Sequence, residues 1–233
     1  MNKPYYQEDG ITIYHGDCLE ILPELPKVDL TITSPPYNLA DKQHTGNKKT
    51  NAYKDNLPEE QYQELQINIL NLIYEHTNIA GSLIYNHKNR IKDHISLTPY
   101  IWLLKTKWIM KQELIWFNGS PNFDPSRFYP MTERLYWMNK SKYCFFENKI
   151  KHHDLFDWQP VGSSQKHSRQ FPIVMVKNML VCFPEHFIVL DPFLGSGTTA
   201  VACKQLGRKC IGIEIEEKYC EIAVKRLAQK EMF

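Results

Sequence analysis

FIVLDPFLGSGTTA, residues 187–200, is the stretch whose reading decides the fold. Phe187 to Leu190 is a short strand-like apolar run, a glycine-rich loop follows, and Thr198 to Leu206 reads as a helix closed by Gly207. Cys210 to Ile215 is the next strand. Strand, loop, helix, strand is the unit of an α/β sheet, in which ligands bind at the carboxyl ends of the strands.

The loop fits G-x-G-x-x-A from Gly195 to Ala200, with Glu214 seventeen residues beyond Gly197 at the second strand's end. Glycines there let the backbone turn tightly and approach a ligand, and an acid at that distance can grip ribose hydroxyls. The pattern suits any nucleoside-bearing cofactor, a nicotinamide dinucleotide included. A P-loop is excluded, because no Gly-Lys-Ser/Thr is present. Asp191 could hold a cationic amino group, and Asp191-Pro192-Phe193 would seat a pyrophosphate poorly, which favours S-adenosylmethionine. A plain tight turn is the competing reading.

A second strand-to-loop junction lies near the amino end, where Val28 to Thr33 leads into Ser34-Pro35-Pro36-Tyr37. Two prolines fix φ and remove two donors, leaving carbonyls that can only accept. An exocyclic amine needs acceptors to orient its hydrogens and turn its lone pair toward a methyl group. The Ser34 side chain and the Pro35 carbonyl are the candidates. Tyr37 offers a face for stacking on a base drawn out of a duplex. The four residues are the candidate catalytic pocket, and the chemistry they suit is direct in-line displacement, helped by positioning. The plain alternative is a rigid loop after a strand.

The rest of the chain fits an α/β reading. Ile11 to Tyr14 is a short strand, followed by a brief helix stopped by Pro23. Pro58 opens a helix whose Tyr62, Leu65, Ile69, Leu72, Ile73 and His76 share a face. Strands are expected at Ser82 to Tyr85 after Gly81, at Trp108 to Trp116 and at Leu135 to Asn139. A last helix carries Tyr219, Ile222, Ala223 and Leu227 on one face. Residues 1–233 read as one domain, with a mobile polar loop at about 38–56 and recognition elaborations at about 118–130 and 141–168.

Bulk composition excludes little. Hydrophobic content of 42% and charged content of 23% are ordinary for a globular protein. No apolar run is long enough to span a bilayer, and Met1 to Gly10 has no signal-peptide pattern, so cytoplasmic residence is the expectation. The six cysteines show no C-x-x-C and no zinc spacing, so no metal site is expected. Net charge is +2, but lysines and histidines cluster in two stretches interleaved with aromatics, as on surfaces that neutralise phosphates.

The two motifs together resemble the amino-methyltransferases of DNA, the N4-cytosine and N6-adenine enzymes. Their order, Ser-Pro-Pro-Tyr first and the glycine motif last, is similar to the permuted beta class. Gly16-Asp17-Cys18 and His167-Ser-Arg-Gln-Phe171-Pro172 resemble further cofactor segments, and Glu133 to Lys140 resembles the strand before the target-recognition region. The resemblance implies an S-adenosylmethionine-dependent methyltransferase fold. That fold is a mostly parallel seven-stranded sheet with one antiparallel strand and helices on both faces. It implies S-adenosylmethionine held by Asp17, Cys18, His167, Phe171, Pro172, Asp191, Phe193, Gly195, Ser196, Gly197, Thr198 and Glu214.

Double-stranded DNA would be the partner. Asn38, Lys48, Lys49, Arg127, Lys142, Lys151 and Arg169 are candidates for its phosphates or bases. A homodimer and a cognate restriction endonuclease are further partners consistent with the family. Thr-Ser-Pro-Pro-Tyr is the usual N4-cytosine form, whereas adenine enzymes usually carry Asp or Asn at the Ser34 position. Asn38 follows the motif as in some adenine enzymes, so cytosine is favoured and adenine stays open. An RNA methyltransferase or a catalytically silent cofactor-binding subunit are the rival readings.

Overall fold

Val28 to Thr33 is buried at five of its six positions, a density of burial that a strand meets only in a sheet covered on both faces. The computed structural model describes residues 3–39, 55–119, 127–157 and 172–229. In chain order the elements are β1 (Tyr6–Glu8), β2 (Ile11–His15), α1 (Cys18–Ile21), a 3-10 turn at Leu22–Glu24, β3 (Val28–Thr33), α2 (Glu59–Glu75) and β4 (Thr77–His87). A hairpin of β5 (Arg90–Lys92) and β6 (Ile95–Leu97) follows, then α3 (Tyr100–Leu103), β7 (Ile109–Phe117), β8 (Thr132–Asn139) and β9 (Leu155–Phe156). The chain ends with α4 (Ile173–Leu180), β10 (Val189–Asp191), α5 (Thr198–Gln205), β11 (Cys210–Glu214) and α6 (Glu217–Leu227).

The main sheet runs β1-β2-β11-β10-β3-β4-β8-β7-β9. From β2 to β4 the neighbours are parallel, and β8 is antiparallel to both β4 and β7. This is the expected seven-stranded core with one reversed strand. Two short edge strands, β1 antiparallel and β9 parallel, raise the count to nine.

Alternation along the strands feeds two cores, as the two-residue period of a strand requires. Ile84, Leu135 and Trp137 join α4, α5 and α6 on one face, where Met175, Val176, Ala200, Ala202 and Ala223 are buried. Leu83, Tyr85, Tyr136 and Met138 join α1, α2 and α3 on the other, with Tyr62, Leu70, Ile73 and Trp102.

The chain departs from the sequence expectation in places. Gly81 lies inside β4 rather than before it, because the strand already pairs with β3 at Thr77. On α6 the buried face is Cys220, Ala223 and Leu227, with Tyr219 left half-buried. The 90–97 hairpin, α3 and both edge strands had no periodic signal, being three or four residues long or less.

Connectivity fixes where a ligand can sit. From β10 the chain crosses by α5 to β11 on one side, and from β3 by α2 to β4 on the other. Adjacent strands whose connections diverge leave a crevice at their carboxyl ends. Those ends are Asp191 and Thr33, so the two motifs, 158 residues apart in sequence, face one crevice.

The rim of that crevice is anchored by a buried ion pair. Arg90, at the root of the hairpin, meets Glu59 of α2 through two bonds of 2.8 and 2.7 Å and lies over the ring of Tyr62 at 4.6 Å. Removing the acid strands a guanidinium whose side chain is 5% exposed. Glu59→Ala should therefore cost about 3–5 kcal/mol, read as a lower urea midpoint. A midpoint equal to the parent's would show that the pair contributes nothing to stability.

Candidate active site

The crevice holds a cavity of about 350 Å³ lined from both motifs: Ser34, Pro35, Pro36 and Tyr37 on one side, Pro192, Phe193 and Gly195 on the other. Asp17, Cys18 and Glu214 complete the wall beside β2 and β11. Five carboxylates line it, those of Asp17, Asp55, Glu133, Glu214 and Glu216, and no Lys or Arg does among the described residues.

Beyond β3, the two prolines leave acceptors in different states. The Pro36 carbonyl meets the Tyr62 hydroxyl at 2.9 Å. No hydrogen bond among the described residues uses the Pro35 carbonyl. Ser34 Oγ donates to Asn86 Oδ1 at 3.0 Å and lies 2.9 Å from the Tyr37 hydroxyl. Tyr37 in turn contacts Asn86 Oδ1 and, at 3.0 Å, Glu133 Oε2. Asn86 is held in this orientation by its amide nitrogen, which donates to the Arg134 carbonyl at 3.0 Å.

Burial, then the charge of Glu133, pushes the Tyr37 phenol well above its usual range, so it is neutral. Its ring is buried, and His87 packs against it with centroids 4.6 Å apart. The expected stacking role is therefore narrowed: part of the ring is already covered, and the hydroxyl is bound into a network. Burial also pushes His87 down to about 3, so this imidazole is neutral.

On the glycine side, Asp191 does not reach the cavity wall. Its carboxylate accepts from Thr33 Oγ1 at 2.8 Å, Thr199 Oγ1 at 2.7 Å and the Phe193 N–H at 3.2 Å. This acid ties the ends of β3 and β10 to the first turn of α5. Glu214 does line the cavity, and its two oxygens accept from the N–H groups of Gly195 and Glu216 at 2.8 Å each.

Gly197 faces away as well. At φ +86° a Cβ there would stand 2.6 Å from the Cβ of Ala223, so glycine at this position lets α5 pack on α6. Ser196 and Thr198 are likewise turned from the wall, for Arg226 takes Ser196 O, Ser196 Oγ and Thr198 Oγ1 at 2.7, 2.9 and 3.2 Å. Of that loop, Pro192, Phe193 and Gly195 are what the cavity meets.

Asp17 lines the cavity while its Oδ1 caps α1 through the Leu19 N–H at 2.9 Å. Cys18 lines it too, its thiol pushed up to about 12 by burial and then by Asp17. Pro172 starts α4 and is absent from the wall. His167, Phe171, Lys48, Lys49 and Arg169 lie outside the described residues.

Two of the residues expected to contact DNA are bonded within the protein or placed away from the cavity. Asn38 is spent on the protein: its side chain pairs both ways with the Leu57 backbone, at 2.9 and 2.7 Å, and its N–H donates to Asp55. Lys142 follows β8 out of the sheet's amino edge, where Lys140 N–H meets the Gly81 carbonyl, opposite to the cavity. Lys151 is exposed on the segment before β9. Arg127 is exposed beside the carboxyl edge, in the connection that returns to Met131, whose carbonyl accepts from Asn118.

Sequence reasoning missed Asn86, Glu133, Glu216 and Tyr219. The available signal was position alone: Asn86, Glu133 and Glu216 lie at or just past the carboxyl-edge end of a strand, and Tyr219 lies in the first turn of α6.

Buried Asp191 titrates near 6 against an ordinary value of 3.8, because burial outweighs the hydrogen bonds that oppose it. Between those values the folded protein holds a proton there that the unfolded chain has released. The stability this gives at low pH is lost as pH rises through the window. An Asp191→Asn variant should lose that contribution, so the parent's stability relative to the variant should fall between about pH 4 and pH 6. Parallel urea curves for the two proteins across that window would contradict the assignment.

Comparison with known proteins follows the same lines. A family model described as DNA methylase matches residues 28–225. Type II methyltransferase M.ScaI of Streptomyces caespitosus is 29% identical over 97% of this chain and 84% of its own length. Type II methyltransferase M.BglII of Bacillus subtilis is 28% identical over 93% and 68%. Among solved structures, PvuII DNA methyltransferase (cytosine-N4-specific) superposes with a TM-score of 0.80 at 19% identity, over 100% of this chain and 91% of that one. The M1.HpyAVI complex with SAM does so with a TM-score of 0.69 at 28% identity, over 94% and 100%.

Proposed function

This chain belongs to the N6/N4 DNA methylase family, and from that premise we propose that it methylates N4 of a cytosine turned out of a short duplex target. It is an S-adenosylmethionine-dependent DNA amino-methyltransferase. The observation that carries the finer reading is the meeting of an open Pro35 carbonyl and the Ser34 hydroxyl with an acid-lined cavity at one switch point.

The cavity suits S-adenosylmethionine on its own chemistry. Its lining has five acids and no Lys or Arg among the described residues, which would repel a dinucleotide's pyrophosphate and favours a ligand carrying positive charge. Phe193, Tyr219 and Ile215 supply apolar surface for an adenine, and Glu214 and Asp17 retain acceptor capacity for ribose or amino groups. When bound, that group supplies an electrophilic methyl on a sulfonium.

This chain's residues do the positioning. The Pro35 carbonyl and Ser34 Oγ accept the two hydrogens of an exocyclic amine, turning its lone pair toward the cavity's cofactor side. The pocket lies recessed at the sheet edge, so a base within a stacked duplex could not reach it, and we infer that the target base is flipped. Ser34 is uncharged, as is the neutral Tyr37 phenol beside it. An uncharged acceptor set suits the cytosine amine.

Duplex DNA would lie across the carboxyl edge, against Arg127 and the exposed Phe128. A cognate restriction endonuclease and a second copy of the chain are the proposed partners. No helix among the described residues is long and apolar enough to cross a membrane.

The protein incubated with unmethylated genomic DNA and methyl-labelled S-adenosylmethionine should place label in N4-methylcytosine after digestion to nucleosides. Label in N6-methyladenine would overturn the base assignment. Label in RNA alone would overturn DNA as substrate. Ser34→Ala should lower transfer about a hundredfold with cofactor affinity retained.

A further inference from the structure

Resting on the methyl-transfer reading above, we propose that Ser34, Tyr37 and Glu133 form a proton relay that takes the proton the methylated amine must lose. An attacking amino nitrogen ends with one proton too many, and the groups around it differ sharply in their capacity to receive it. Asn86 orients the cluster, but an amide oxygen is a poor base. His87, the residue type most often used as a base, is buried, and both its ring nitrogens are engaged, Nδ1 with the Lys88 carbonyl at 2.8 Å and Nε2 with the Tyr62 hydroxyl at 2.7 Å. The carboxylate of Glu133 is the remaining acceptor in the cluster, and it lines the cavity.

A continuous path leads to it. Ser34 Oγ and the Tyr37 hydroxyl are 2.9 Å apart, and that hydroxyl is 3.0 Å from Glu133 Oε2. Proton counting supports the direction. Each hydroxyl carries a single hydrogen, Asn86 Oδ1 can only accept, and an ionised carboxylate can only accept. At rest Ser34 donates to Asn86 Oδ1, and the relay is ordered with Glu133 as its terminal acceptor once the Ser34 hydrogen turns to the Tyr37 oxygen 2.9 Å away and the Tyr37 hydrogen to Glu133.

The step balances as follows. The amino nitrogen bonds to the methyl carbon as the carbon–sulfur bond breaks, its electron pair passing to sulfur. One N–H proton moves to Ser34 Oγ while the Ser34 proton moves to the Tyr37 oxygen and the Tyr37 proton to Glu133 Oε2. Both hydroxyls are restored, and Glu133 releases the proton to water from the cavity wall. Ser34 touches the substrate. Tyr37 and Glu133 act through it and are positioning residues.

The relay is tested by single-turnover methyl transfer from labelled S-adenosylmethionine to unmethylated genomic DNA, with parent, Glu133→Gln, Glu133→Ala and Tyr37→Phe proteins compared. The expected result is a fall of about a hundredfold in each variant, with S-adenosylmethionine affinity by calorimetry unchanged. Added formate should restore part of the Glu133→Ala rate and none of the Tyr37→Phe rate. Independently of turnover, the Tyr37 Cζ carbon resonance of the free protein should shift in Glu133→Ala.

A parent that transfers methyl groups alongside variants of equal rate would overturn the relay and leave the methyltransferase reading standing. Slow variants that formate does not rescue would reduce Glu133 to a structural role and also overturn it. A parent that methylates nothing would overturn both.

Discussion

The carboxylate of Asp191 is the constraint on which the site depends. It is 4% exposed, and it joins three elements that sequence separates widely: Thr33 at the end of β3, Phe193 after β10, and Thr199 in the first turn of α5. Burying an acid is costly unless its lone pairs are met, and here two hydroxyls and one N–H meet them. Without this knot the two loops would leave their strands independently. With it, the Ser-Pro-Pro-Tyr loop and the glycine loop line one cavity.

The distribution of charge around that wall follows from what must approach it. Duplex DNA is a polyanion, and a cavity with five carboxylates would repel it. The acids, however, lie in the recess, while Arg127 is exposed between β7 and β8. Acidity within is compatible with DNA outside if, as proposed above, the recess receives a neutral base and a cation. The same division would disfavour entry by free phosphates, which gives the cavity a selectivity that its shape alone would not.

The sequence made the sheet legible because its central strands either alternate apolar and polar residues, as in β3, or carry a continuous apolar run, as Leu135 to Met138 do in β8. The two motifs were legible as loops at strand ends, and the topology explains why they converge. Side-chain direction was not legible. Nothing in Asp-Pro-Phe-Leu-Gly-Ser-Gly-Thr-Thr tells that Asp191, Ser196, Gly197 and Thr198 turn inward to pack the loop, while Phe193 and Gly195 face the cavity. That depends on Arg226 and Ala223, which arrive from α6. Lys142 shows the same limit at larger scale: its composition suits DNA, but strand β8 runs backwards and delivers it to the wrong edge.

The chemistry of the amine pocket is set by the suppression of charge in its immediate wall. Burial holds Tyr37 protonated and His87 neutral, near 3, so neither offers an ion to the substrate. An amine conjugated to an aromatic ring is a weak nucleophile whose lone pair lies in the ring system. What helps it is geometry: acceptors placed so that both hydrogens are engaged and the nitrogen is turned out of conjugation. In the reading proposed above, Ser34, held by Asn86, and the Pro35 carbonyl, which no hydrogen bond among the described residues uses, would provide that geometry without a formal charge. A charged acceptor in their place would bind the ground-state amine more strongly but would also carry the desolvation cost of a buried ion. The neutral arrangement avoids that cost and leaves the nearest ionisable acceptor, Glu133, one hydroxyl further from Ser34.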